Sequence, residues 1–277
     1  MRRSLDIRAA AAALALASLL AACGSDDDGG DDAPAAAATE TSEAPAEPLR
    51  ILYSNDDGIT NPAIDVLLGR LSALPDVEVT LVAPADQRSG SSDTRSEGVV
   101  TYQEGATPAG VSGTAVNGFP ADTVVVGLDE LDLDPHLVVS GINPGQNIGP
   151  FAALSGTVGV GRTAIRRGVP ALAVSANLQL DQEQFEFAAE LALDWIEENR
   201  DALLAGTAQA DTVTSINVPA CPVSSMGELQ ETVLAESFPE GADPFASTCD
   251  QSNPDPVTDY DALAAGYPSI EQVPADL

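Results

Sequence analysis

Asp56 and Asp57 stand side by side in ILYSNDDGIT (residues 51–60), where an apolar run ends abruptly in polar residues. Ser89 in APADQRSGSS (83–92) adds a hydroxyl, and Asn143 in SGINPGQNIG (140–149) adds an amide carbonyl. An all-oxygen donor set of this kind suits Mg²⁺, Mn²⁺ or Ca²⁺ rather than zinc. Gly141, Gly145, Gly149 and Gly156 let backbone approach a ligand closely. Ser155 in LSGTVG (154–159) is placed to cap a helix beginning near Thr157, whose free N–H groups and dipole would face an anion. A cation beside a helix N-terminus is what phosphate-ester chemistry needs. The cation neutralises phosphoryl oxygens and activates water, while N–H donors hold the transition-state charge. Taken singly, NDDG is also a turn, RSGSS a flexible loop and SGTVG an ordinary cap; their succession at strand ends is what favours a site. The single histidine, His136, falls at a strand start and is expected to be a structural edge residue. With no G-x-S-x-G elbow either, the sequence argues strongly against a Ser-His-Asp triad.

The elements that must position these residues follow from hydrophobic periodicity. LRILYS (49–54), VEVTLVAP (77–84), HLVVSGIN (136–143), PALAVSAN (170–177) and TVTSINVP (212–219) are expected strands. NPAIDVLLGRLSAL (61–74), with Pro62 suited to a first turn, and DQEQFEFAAELALDWIEEN (181–199) are expected helices. Alternating strands and helices predict an α/β fold, a mostly parallel sheet covered on both faces in three α/β/α layers. In such sheets the strand-to-helix loops gather at the carboxyl edge, where ligands bind. The four polar segments would therefore share one crevice.

The chain has 277 residues, enough for one sizeable α/β domain, and a formal net charge of −32 from 43 acidic and 11 basic residues, every base an arginine. That charge repels phosphate backbones and argues against nucleic-acid binding. Arg2, Arg3 and Arg8 precede an Ala/Leu run and then LAAC (20–23). This reads as a lipoprotein signal peptide over 1–23, with Cys23 the lipidated residue. Residues 24–48, acidic and rich in Ala, Pro and Gly, read as a disordered tether. The expected location is the outer face of a bacterial cell membrane, held by an N-terminal lipid anchor. In an exported protein Cys221 and Cys249 are candidates for a disulfide closing residues 222–248 into a loop.

The segments ILYSNDDGITNPAIDVL, VAPADQRSGSS, VVSGINPGQNIG, SGTVGVGRTAIRRGVPALAVS, INVP and TDYDALAAGYPSI (258–270) occur in that order. Together they resemble the SurE family of survival-protein nucleotidases, across nearly everything from Leu49 onward. The resemblance implies a Rossmann-like α/β/α fold and a divalent-metal-dependent phosphatase acting on nucleoside monophosphates. It implies metal ligation by Asp56, Asp57, Ser89 and Asn143, with Mg²⁺ or Mn²⁺ as the expected ion. Asn147 and the Ser155-Gly156-Thr157 turn would contact phosphate, and Asn55 would support the site. Asp56, Asp57 and Asn147 are the catalytic candidates. Thr163 and Ala164 stand where the family usually has a Glu-Gly pair. GFPAD (118–122) replaces the family's GTP-x-D, keeping Asp122 but placing Phe119 at the hydroxyl position. Residues 220–257 are short and divergent.

The leading expectation is hydrolysis of nucleoside 5′- or 3′-monophosphates at the cell surface. The alternatives are a non-catalytic surface lipoprotein binding a phosphate ligand or calcium, and a broader phosphatase that includes short polyphosphate. A homodimer is left open.

Overall fold

The computed structural model describes residues 47–179 and 181–277. The signal peptide, Cys23 and residues 24–46 of the tether lie outside the described residues.

Strands β1 (Leu49–Ser54), β2 (Val77–Pro84), β3 (Tyr102–Ala106), β4 (Ser112–Val116) and β5 (Leu137–Pro144) are followed by β6 (Ala171–Ala176), β7 (Thr212–Asn217), β8 (Gln230–Glu231) and β9 (Ser269–Pro274). They form one sheet in the order β3-β4-β2-β1-β5-β6-β7-β9-β8. From β4 to β7 every pairing is parallel; β3 and β9 add antiparallel partners to β4 and β7. The helices are α1 (Ile64–Ser72), α2 (Pro120–Val125), α3 (Gly156–Ile165), α4 (Gln182–Leu204) and α5 (Asp259–Ala265).

The strand sequences show why the sheet is covered twice. In β1, Leu49, Ile51 and Tyr53 enter one buried cluster while Leu52 enters the other. A strand apolar on both parities must bury both faces. On the first face lie α1, through Ile64, Leu67, Leu68 and Leu71, and α4, through Phe185, Ala188, Ala189, Ala192 and Ile196. That spacing is one helical stripe. Each large side chain so buried contributes about 1.5–3 kcal/mol. On the second face lie α2, through Val124, and α3, through Val158, Val160, Ala164 and Ile165.

Five expected strands and the long helix are present within a few residues, with Asp181 capping α4 by accepting from Gln184 N at 3.1 Å. The first helix begins at Ile64, not Asn61. Asn61 and Pro62 instead form the turn before it, where Ala63 N donates to Asn61 Oδ1 at 2.9 Å and Ile64 N to Asn61 O at 3.2 Å. The β3–β4 hairpin, α2, α5 and β9 add elements beyond those the periodicity indicated.

β1 lies between β2 and β5, so the chain winds outward in opposite directions on its two sides. The crevice beyond the carboxyl ends of β1 and β5 is the switch point where open α/β sheets bind ligands. His136 sits at the other end of β5, about 20 Å along the strand. It accepts from Arg50 N through Nδ1 at 3.0 Å, an edge contact.

Candidate active site

The loop after β1 turns sharply because Asn55 uses its whole amide on one residue. Its Oδ1 accepts from Gly58 N at 3.2 Å and its Nδ2 donates to Gly58 O at 3.0 Å. Asn55 therefore shapes the loop that carries Asp56 and Asp57. Arg88 N donates to Asp56 O at 2.7 Å, tying the loop after β2 to the one after β1. Asp56 Oδ1 accepts from Thr157 Oγ1 at 2.6 Å, and Asp57 Oδ1 accepts from Ser89 Oγ at 3.3 Å. Sequence-distant loops thus converge on two adjacent carboxylates.

Helix α3 starts directly behind Asp56. Ser155 caps it, accepting from Val158 N at 3.1 Å. At Gly156 an added Cβ would fall 2.6 Å from Asp56 Cβ and 2.9 Å from its Oδ2. Only glycine permits that approach.

A cavity of about 230 Å³ opens over this point, with Asp56, Ser89, Asn143, Asn147 and Ser155 on its polar side. Asp57 reaches it through Ser89, whereas Gly156 and Thr157 stand behind Asp56 and off the wall. Asn143 donates Nδ2 to Gly145 O at 2.6 Å, so its Oδ1 is the atom left for a ligand. Asn147 donates Nδ2 to Ser175 Oγ at 2.9 Å.

Asp56 and Asp57 place two adjacent carboxylates in a buried setting. Asp56 is 3% exposed and Asp57 9%, and among the described residues neither forms an ion pair. Burial, then the neighbouring Asp57 charge, pushes Asp56 up to about 6; burial also raises Asp57. Asp57 Oδ2 is buried without a hydrogen-bond partner. An orphaned carboxylate oxygen is costly unless a ligand satisfies it. Two carboxylates, a hydroxyl and an amide oxygen are hard donors, the set that magnesium and manganese take. Among the described residues there is no group of three His, Cys, Asp or Glu side chains suited to a metal, so a site here must draw on Ser89 and Asn143.

Residues 51–239 match the family model described as Survival protein SurE. The chain belongs to the SurE family. It is 33% identical over 246 residues to the 5′/3′-nucleotidase SurE of Photorhabdus laumondii, covering 83% of this chain and 91% of that one. It is 35% identical over 240 residues to the 5′-nucleotidase SurE of Prochlorococcus marinus, covering 83% and 86%. The crystal structure of the SurE protein from Aquifex aeolicus superposes with a TM-score of 0.63 at 25% identity, covering 82% of this chain and 94% of that one. The mostly parallel three-layer sheet is thus the SurE fold.

Two of the departures from the SurE pattern, Thr163–Ala164 and Phe119, lie off the cavity wall. Thr163 bonds back to Gly159 O at 2.8 Å on the buried side of α3, with Ala164 beside it in the core. Phe119 carries the Arg88 guanidinium over its ring at 5.7 Å. Asp122 binds Ser96 through its backbone N and its hydroxyl, at 3.0 and 2.6 Å, and so fastens the segment after Ser92.

Three positioning residues, Asn217, Glu271 and Asp259, were not singled out by sequence spacing. Asn217, ending β7, accepts from Asn147 N at 2.7 Å and donates to Glu271 Oε1 at 2.8 Å. Glu271, 1% exposed in β9, also accepts from Ser269 Oγ at 3.0 Å. Asp259 accepts from Gly149 N at 2.7 Å and from Ala235 N at 2.8 Å. The glycine-rich loop that presents Asn147 is therefore held from behind by a buried polar chain. A buried glutamate in a strand, paired with residues dozens of positions away, has no local sequence signature.

Proposed function

We propose that this SurE-family chain is a divalent-metal-dependent phosphomonoesterase that hydrolyses nucleoside 5′- or 3′-monophosphates to nucleoside and phosphate. The carrying observation is the convergence of two buried, unpaired carboxylates with Ser89, Asn143 and Asn147 at one cavity beside a capped helix start. The names of the relatives favour the same substrate class. Asp56, Asp57, Ser89 and Asn143 would hold Mg²⁺ or Mn²⁺. Such an ion supplies Lewis-acid neutralisation of phosphoryl charge when bound.

This chain's own residues do the rest. Thr157 and Gly156 fix Asp56, and Ser89 orients Asp57. Asn147, its amide set by Ser175 and its backbone by Asn217, presents its side chain to the phosphoryl oxygens. Ser155 lies on the same wall at the start of α3, where the helix dipole favours an anion. Burial and the Asp57 charge make a bare Asp56 carboxylate costly, and a bound cation would offset that cost.

We also place the protein outside the cell. Residues 1–23 act as a lipoprotein signal, Cys23 carries the lipid, residues 24–48 tether, and residues 49–277 form the phosphatase. The reading rests on the Arg-led apolar run ending in LAAC. Nucleotides do not cross membranes, so an external phosphatase would scavenge them.

The test is phosphate release from AMP, GMP and p-nitrophenyl phosphate with Mn²⁺ or Mg²⁺. Turnover that stops in Asp56→Asn and Asp57→Asn, with folding intact, supports the assignment. Nucleotide binding without phosphate release would make the protein a receptor. Activity confined to the soluble cytoplasmic fraction would remove the surface location.

A further inference from the structure

The polar side of the cavity accounts for a phosphoryl group and a cation. Its other side is apolar. Phe151 and Phe245 form part of that wall, stacked with ring centroids 5.4 Å apart and 15° between planes. Leu154 and Leu178 complete the rim and are 59% and 54% exposed. Large apolar side chains left open around a polar pocket mark a ligand surface. Among the described residues no Arg lies on the wall, and Asp56 is its single charged side chain.

Phe245 reaches the cavity from the divergent segment after β7, beyond residue 239 where the family match ends. Cys221 and Cys249 are joined by a disulfide, Cα–Cα 5.7 Å, closing that segment into a loop. Within it Phe238 packs on Phe151 at 5.0 Å and on Tyr260 of α5 at 5.6 Å. Gly149 has φ +47°, and a Cβ there would meet Phe238 Cε1 at 2.9 Å, so the loop lies directly against the glycine-rich segment.

We propose that the Phe151–Phe245 pair, with Leu154 and Leu178, binds the leaving group of the substrate and selects planar aromatic esters over aliphatic ones, the Cys221–Cys249 bridge holding Phe245 in place. The inference rests on the phosphomonoesterase reading and adds its specificity determinant. A nucleobase presents a π-face that stacks on aromatic side chains whatever its hydrogen-bonding edge. The wall therefore discriminates base from no base more than one base from another.

The experiment compares AMP with glycerol 2-phosphate in wild type, Phe245→Ala and Phe245→Tyr. Phe245→Ala should lower kcat/KM for AMP about tenfold more than for glycerol 2-phosphate, chiefly through KM, and Phe245→Tyr should restore most of the difference. Mild reduction of the wild-type disulfide should move KM for AMP the same way and add little in Phe245→Ala. Equal loss on both esters, or equal kcat/KM for both in wild type, overturns the wall while leaving the phosphomonoesterase standing. Absence of phosphate release from any ester in wild type overturns both.

Discussion

Replacing Gly156 with alanine tests how tightly the carboxylate is held to the helix. The new methyl would lie 2.6 Å from Asp56 Cβ, 2.9 Å from Asp56 Oδ2 and 3.0 Å from Pro120 Cγ. Carbon atoms do not approach so closely, and Asp56 is 97% buried between Thr157 and the loop after β2, so the strain cannot vent to solvent. Overpacking of this kind costs about 1–3 kcal/mol, which for a domain of this size lowers Tm by about 2–12 °C. The catalytic consequence is larger. Moving Asp56 by about 1 Å would displace the proposed cation ligand and one wall of the proposed phosphate site, and misplacement on that scale costs about 100-fold in turnover. Phosphate release from AMP and thermal unfolding read the two effects separately. Gly69→Ala is the control, because an added Cβ there meets nothing within 4 Å on the exposed side of α1. It should raise stability by about 0.5–1 kcal/mol and leave turnover unchanged. A Gly156→Ala protein with wild-type turnover would refute the packing of Asp56 against α3.

Burial, reinforced by the negative Asp259, pushes Glu271 up to about 8 from an ordinary 4.5. The folded protein thus keeps a proton that the unfolded chain releases, and stability falls as pH rises from about 4.5 to about 8. Glu271→Gln removes that component, so urea midpoints at pH 5 and pH 8 should lie closer together than in wild type; an unchanged gap would show that Glu271 ionises freely. EDTA should abolish phosphate release without unfolding, and added Mn²⁺ or Mg²⁺ should restore it; full activity after exhaustive chelation would exclude a cation at Asp56 and Asp57.

The central sheet was legible because buried parallel strands are near-continuous apolar runs, as in ILYS and LVVSG, and because α4 carries an unbroken apolar stripe behind an Asp cap. The hairpin was not, since YQEGA of β3 is mostly exposed and lacks an apolar face. Strand β9 was hidden by Glu271, a charged residue that reads as surface yet is buried by its own hydrogen bonds. The convergence of the loops that carry Asp56, Asp57, Ser89 and Asn143 could be foreseen because loops after parallel strands must share an edge. What spacing could not reveal is how polar groups are spent: Asn55 on Gly58, Thr157 on Asp56, Asn217 on Asn147. Those are choices of side-chain geometry, made between residues up to a hundred positions apart.

The most direct measurement is a calorimetric titration of Mn²⁺ into metal-stripped wild type and Asp57→Asn, with circular dichroism to confirm that both are folded. Asp57 brings the buried oxygen that has no partner of its own. One ion bound per wild-type chain, and binding lost in Asp57→Asn, is the outcome expected. Equal affinity in the two proteins would mean that the cation, if any, binds elsewhere.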